Sequence, residues 1–367
     1  MALGPNDLKN VSLPSAWDGA EMSRFALRDG TSYESLIRDI NIAIAALNAE
    51  LQSGYFASLF SITADPGIEY RTGATSGFED HTEYAQPDAQ RGETTGHMLP
   101  LYKKDRKMGW TNDWLEEARR AHIDADIRAM ITDARDAFQK ALITRLFKME
   151  EETGKKLGLG TGGYSVPFAD GGAGAIAFTP PPYANRGGTF ASTHDHFGRL
   201  SGITQANLET QVKHLWEHGI DGPYDLLVSL ADLGSWTNTT NVTGYIEKAD
   251  PLVMYGNSES LARVGAEYVG GVKTEYGFAR LMPLGRIPTA YWGVTKTYGA
   301  LDQRNPLKVR FDEKYGFGLK LVSENISLYP LTGAVGVLKF GVGVADRVAA
   351  VLTENDTADD YATPTIS

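Results

Sequence analysis

"NDWLEEARRAHIDADIRAMITDARDAFQKALITRLFKMEEETG", residues 112–154, contains no proline, and no glycine before its last residue. Leu115, Ala118, Ile123, Ile127, Met130, Ile131, Ala134, Phe138, Ala141, Leu142 and Leu146 recur at the spacing that buries one face of a helix. Asp113 and Glu116 are placed to cap its start and Gly154 to end it. The pattern predicts one unbroken helix over 113–153. About 40 residues rising 1.5 Å each span roughly 60 Å, whereas a globule of this chain length is about 53 Å across. A helix longer than its own globule predicts a flat or elongated molecule with that helix as its spine.

On the N-terminal side, residues 1–30 read as an extended arm. Thr31-Ser-Tyr-Glu34 matches a capping box, and Tyr33, Leu36, Ile37, Ile40, Ile44, Leu47 and Leu51 continue at helical spacing until Gly54. Residues 55–100 have no helical period. They carry Asp65, Glu69, Glu79, Asp80, Glu83, Asp88 and Glu93 against only Arg71 and Arg91. A loop of that length inside a compact domain is improbable, which predicts either disorder or a projecting hairpin whose partner lies on another chain. The next segment, "LYKKDRKMGW" (101–110), reverses the charge through Lys103, Lys104, Arg106 and Lys107. An acidic projection beside a basic stem suits self-complementary subunits; a solvated surface would look the same.

Beyond the helix, residues 155–190 are rich in glycine and proline and read as a surface loop, followed by a third helix at about 204–218. After Ala290 short strands dominate: "AYWGVTK", "LKVRF", "GLKLV", "GVLKFGVGV" and "RVAAVL". Helices early and strands late predict an α+β fold rather than alternating βαβ units.

Composition excludes several classes. The 367 residues include no cysteine, which removes disulfides and thiolate metal sites, and the net charge of −11 opposes general affinity for nucleic acid. No basic-then-apolar leader and no membrane-length apolar run occurs, so a soluble protein used without export is expected.

Two motifs touch on chemistry. Gly158-Leu-Gly-Thr-Gly-Gly163 satisfies G-x-G-x-x-G, but it follows a helix instead of joining a strand to one, so a dinucleotide site is not expected. His214-Leu-Trp-Glu217-His218 has the H-x-x-E-H spacing of zinc peptidases, with His194 and His196 upstream. Leu208, Val212, Leu215 and Trp216 form the apolar face of that helix and predict that His214, Glu217 and His218 lie on the opposite, polar side. The expectation is a helix end whose histidines complement the dipole, with a zinc hydrolase on His214, Glu217 and His218 as the alternative. No constellation demands an enzyme, a cofactor or a metal.

The succession of arm, acidic projection, basic stem, long helix, glycine-rich turn, mixed middle and strand-rich end resembles a tailed-bacteriophage major capsid protein of the Hong Kong 97 type. The likeness is carried by the acidic segment leading through 101–110 into the helix 113–153. At the other end it rests on "RLMPLGRIPTAYWGV" (280–294), "NPLKVRF" (305–311) and "LKFGVGVADRVAAVL" (338–352). The resemblance implies an N-terminal arm with helix at 1–54 and an extended hairpin loop at 55–108. It implies a peripheral domain from 109–199 and 296–367, and an axial domain at 200–295. It implies assembly with copies of itself into hexamers and pentamers of an icosahedral virion shell, built in the host cytoplasm. That shell would enclose double-stranded DNA without reading its sequence, and no membrane is involved. Portal and decoration proteins are further partners, and because little chain precedes residue 55 the resemblance implies either a separate scaffold protein or a weaker requirement for one. Glu79, Asp80 and Glu83 would meet Lys103, Lys104, Arg106 and Lys107 across subunits. A bacterial shell of the encapsulin kind shares the expected fold and is the nearest alternative.

Overall fold

The first helix, α1 (Tyr33–Glu50), starts one residue later than the Thr31-to-Glu34 pattern predicts, because Ser32 is its cap and its hydroxyl accepts the Ser35 N–H at 3.3 Å. Thr31 instead closes a turn, its carbonyl accepting the Leu27 N–H at 2.9 Å. A computed structural model describes residues 26–72, 93–107, 110–150, 168, 195–248, 268–323, 334–357 and 360–366. After α1 come α2 (Gly54–Ala57), β1 (Phe60–Thr63), β2 (Gly67–Thr72), β3 (Glu93–Met98) and β4 (Tyr102–Lys107).

The long helix is interrupted. It divides into α3 (Asn112–Glu117) and α4 (Arg120–Phe147), with Ala118 and Arg119 extended between them. The break is made by the distant 27–30 turn. Arg28 donates its N–H to the Ala118 carbonyl at 3.1 Å, and the Asp29 carboxylate accepts the Arg120 N–H at 2.7 Å. Asp29 thus caps α4 in place of a local residue, and that bond from Arg120 holds its carboxyl below the usual range. The far end stops at Phe147 for similar reasons. Tyr361 donates its hydroxyl to the Phe147 carbonyl at 2.8 Å, and Arg145 turns back onto the Lys148 carbonyl at 2.6 Å. At 28 residues α4 spans about 42 Å, shorter than the globule. The inference from helix length to a plate therefore does not hold.

The remaining elements are β5 (Phe197–Arg199), α5 (Gln205–Glu217), β6 (Tyr224–Ser229), α6 (Leu233–Trp236), β7 (Tyr245–Glu247), β8 (Gly270–Thr274), β9 (Gly277–Leu284) and β10 (Tyr291–Thr295). They are followed by β11 (Leu307–Phe311), β12 (Leu319–Ser323), β13 (Ala334–Val344) and β14 (Ala350–Glu354). Helix early and strand late is the α+β distribution expected from the sequence.

Two larger sheets form. In the five-stranded sheet β13 is the long central strand: residues 335–340 pair with β4, 334–338 with β12 and 340–344 with β11, which in turn pairs parallel to β1. Its even-numbered face packs on α4, where the Phe138 ring lies 5.1 Å from Phe340 and 5.7 Å from Phe317. The buried face of α1 closes the same core. Asn48 bolts α1 to β12 by exchanging two bonds with the Leu319 backbone, at 2.7 and 3.0 Å.

The seven-stranded sheet has the order β5-β14-β10-β6-β9-β8-β7. Every residue of β6 is buried, as a strand covered on both faces must be. Leu226 and Val228 pack under Leu208, Val212 and Leu215 of α5, while Leu227, Met282 and Leu352 turn to the first core. Strand pairing runs across the expected bounds. β5 and β14, assigned from the sequence to the peripheral part, pair within the sheet of the 200–295 region. β1 and β4, assigned to the extended loop, pair in the five-stranded sheet. Between them β2 and β3 form a separate ribbon, pairing with each other from Gly67↔Met98 to Thr72↔Glu93.

Candidate assembly surfaces

β4 alternates its residues across the five-stranded sheet. Tyr102, Lys104 and Arg106 fall on the α4 side, opposite Phe340, Leu338 and Gly336, while Lys103, Asp105 and Lys107 fall on the other. Arg106 forms an ion pair with Asp133 of α4. The Lys104 ammonium lies 5.9 Å from the Phe340 ring, and burial, with Lys140 nearby, holds its pKa below the ordinary lysine value. Lys103 sits 3.6 Å from Asp105, which relieves its position directly across from Lys339. Lys107 has no ion-pair partner among the described residues. The four basic residues therefore do not act together: Arg106 and Lys104 face their own helix, and Lys103 and Lys107 face away from it. Their proposed acidic counterparts Glu79, Asp80 and Glu83 lie outside the described residues.

The β2–β3 ribbon is anchored at its foot, where the Leu99 N–H meets the Pro66 carbonyl at 2.7 Å and Arg310 donates to the Leu99 carbonyl at 3.0 Å. Ile68 and Leu99 are buried there, but Met98 is 43% exposed. Among the described residues neither strand pairs with anything else. An isolated two-stranded ribbon is marginal in water, so this one calls for a further surface. At its foot His97 is held neutral by burial beside Arg347 and Arg145, which brings its pKa down to about 4.

The H-x-x-E-H segment closes α5, and its histidines are not on an exposed polar face. His218 is the C-terminal cap residue and is buried, its Nε2 lying 2.9 Å from Nε2 of His196. Glu217 pairs with Lys213 at 3.4 Å, and the His214 ring centroid is 6.1 Å from that of His196. Among the described residues no three potential metal-binding side chains converge. The glycine motif 158–163 and His194 lie outside the described residues.

Sequence reasoning missed the most demanding polar group among the described residues. Asp225 and Arg280, register partners on β6 and β9, are both buried and 2.5 Å apart, and Thr297 donates its hydroxyl to the same carboxylate at 2.5 Å. The available signal was a lone acid in "YDLLVS" and a lone base in "ARLMPL", each inside an otherwise apolar strand.

No protein-family model matches the chain, and no curated protein matches it in sequence. Solved structures do. One from Mycobacterium phage Patience is 21% identical over 94% of this chain and 94% of that one, with a TM-score of 0.63. The bacteriophage PhiM1 mature capsid is 12% identical over 82% and 87%, at a TM-score of 0.45. The holo-SrpI encapsulin complex from Synechococcus elongatus is 11% identical over 84% and 89%, at 0.43. The fold is the Hong Kong 97-type α+β fold, with a five-stranded sheet on the long helix and a seven-stranded sheet beyond it.

Proposed function

We propose that the chain is the major capsid protein of a tailed phage, a structural subunit that tiles with copies of itself into a closed shell around double-stranded DNA. The observation that carries this reading is the fold shared with the phage Patience structure along nearly the whole of both chains. On this reading the five-stranded sheet with α4 is the peripheral part, and the seven-stranded sheet the axial part that meets its neighbours around a capsomer. The ribbon and the segment beyond it lie across an adjoining subunit, with Glu79, Asp80 and Glu83 toward Lys103 and Lys107. Each contact is modest, and closure of the shell multiplies them. Scaffold, portal and decoration proteins are the further partners, and the work is structural rather than catalytic. The H-x-x-E-H geometry does not favour a zinc hydrolase, since Glu217 is drawn to Lys213 and His218 to His196.

Negative-stain microscopy of particles purified with their contents tests the reading. Icosahedral shells holding double-stranded DNA are expected; shells packed with a single enzyme would move the assignment to an encapsulin, and the absence of shells would end it.

A further inference from the structure

β4 lies at the rim of the five-stranded sheet, with β13 on one side and, among the described residues, no strand on the other. The far side of β13 fixes which backbone groups face that rim. Leu319 of β12 directs both its N–H and its carbonyl to Asn48, so neither points at β13. Leu338, opposite it, therefore turns its own N–H and carbonyl the other way, toward Lys104. Backbone direction alternates along a strand. Lys104 and Arg106 thus bond to β13, whereas the N–H and carbonyl groups of Lys103, Asp105 and Lys107 point off the sheet. All five residues from Lys103 to Lys107 are exposed, and an edge of this kind is a template for one more strand.

Charge decides which strand it takes. A second β4 centred on Asp105 would set lysine against lysine whichever way it ran, which is destabilising. The segment Glu79-Asp-His-Thr-Glu83 fits instead. Centred on Asp105, it brings Glu79 and Glu83 opposite Lys103 and Lys107, and His81 opposite Asp105, where the imidazole can donate to the carboxylate. The two glutamates flank His81 symmetrically, so the match holds for either strand direction. Asp80 then falls on the other face, across from Lys104 or Arg106. The exposed Lys103 and Asp105 pair, at 3.6 Å, is too weak to withhold these charges.

We infer that residues 79–83 of a second copy add as a strand to the outer edge of β4, completing the five-stranded sheet across a subunit boundary and, resting on the shell reading above, giving its acidic contact a backbone register. The ribbon favours a second copy over the same chain. Thr72 and Glu93 close its far end about 17 Å from Gly67 and Met98, and β4 begins beside those last two.

Residue-resolved amide exchange, in the lone subunit and in assembled particles, tests the added strand. In the subunit the Lys104 and Arg106 amides should be protected while those of Lys103, Asp105 and Lys107 exchange near their intrinsic rates. In the particle the latter three should slow by at least about a hundredfold. Shells in which they stay fast would overturn the inference and leave the shell reading standing, and protection already present in the lone subunit would overturn it too. If no shells form, both fall. A charge exchange checks the partner: Glu79→Lys with Glu83→Lys should restore the particle yield that Lys103→Glu with Lys107→Glu loses, and a yield no better than that of the lysine variant would refute the pairing.

Discussion

The seven-stranded sheet and the β2–β3 ribbon are built from similar strand-forming residues, yet one is complete within the chain and the other is not. β6 has all six residues buried and its one charge paired. The ribbon has neighbouring strands on neither outer edge among the described residues, and a methionine left 43% exposed at its foot. A sheet covered on both faces gains its burial from its own sequence. A bare ribbon must take it from another surface, and on the function proposed above that surface is a second copy.

The largest expected effect tests the complete region. Asp225→Ala leaves the Arg280 guanidinium buried without its carboxylate, and should cost about 3–5 kcal/mol in chemical denaturation. Next comes the boundary between the regions. His97 has its pKa depressed from 6.5 to about 4, so the folded state binds fewer protons than the unfolded one between those values. Stability should be full above about pH 6.5 and fall as pH drops toward 4, by on the order of 2–3 kcal/mol, with His97→Gln flattening that slope. Asn48→Ala removes both buried bonds between α1 and the Leu319 backbone and should cost about 2 kcal/mol, read from the denaturation midpoint.

The smallest stability effect carries the most information on assembly. Lys103→Glu with Lys107→Glu, on the face turned away from α4, should change subunit stability by less than about 0.5 kcal/mol yet reduce particle yield measured by sedimentation. Arg106→Glu should cost the subunit up to about 1 kcal/mol by breaking its exposed pair with Asp133, with a smaller loss of particles. Equal particle loss in both would mean that the basic strand acts as an undivided patch.

The sequence made the helical face of α1, the α+β distribution and the strands of the C-terminal third legible, because each is a local periodicity. The ends of α4 were not legible. Nothing between residues 112 and 154 marks a stop, and the interruption is imposed by Asp29 from 91 residues upstream and by Tyr361 from 214 residues downstream. Strand membership failed for the same reason. "AVLTE" reads as a strand wherever it lies, and only its register with β10 places it in the seven-stranded sheet. The basic stem was visible as composition, but alternation along β4 divides it, and which side faces α4 depends on its pairing with β13. His218 looked like a solvated helix end because its partner, His196, comes from the segment just before β5 and not from the helix itself.

Amide exchange in the ribbon, measured over 67–72 and 93–98 in the lone subunit and in assembled particles, bears most directly on whether a neighbour completes this protein. Rapid exchange in the subunit and protection at least about a hundredfold greater in the particle is the predicted result. Full protection of those amides in a subunit that remains a 39.9 kDa monomer at high concentration would contradict it.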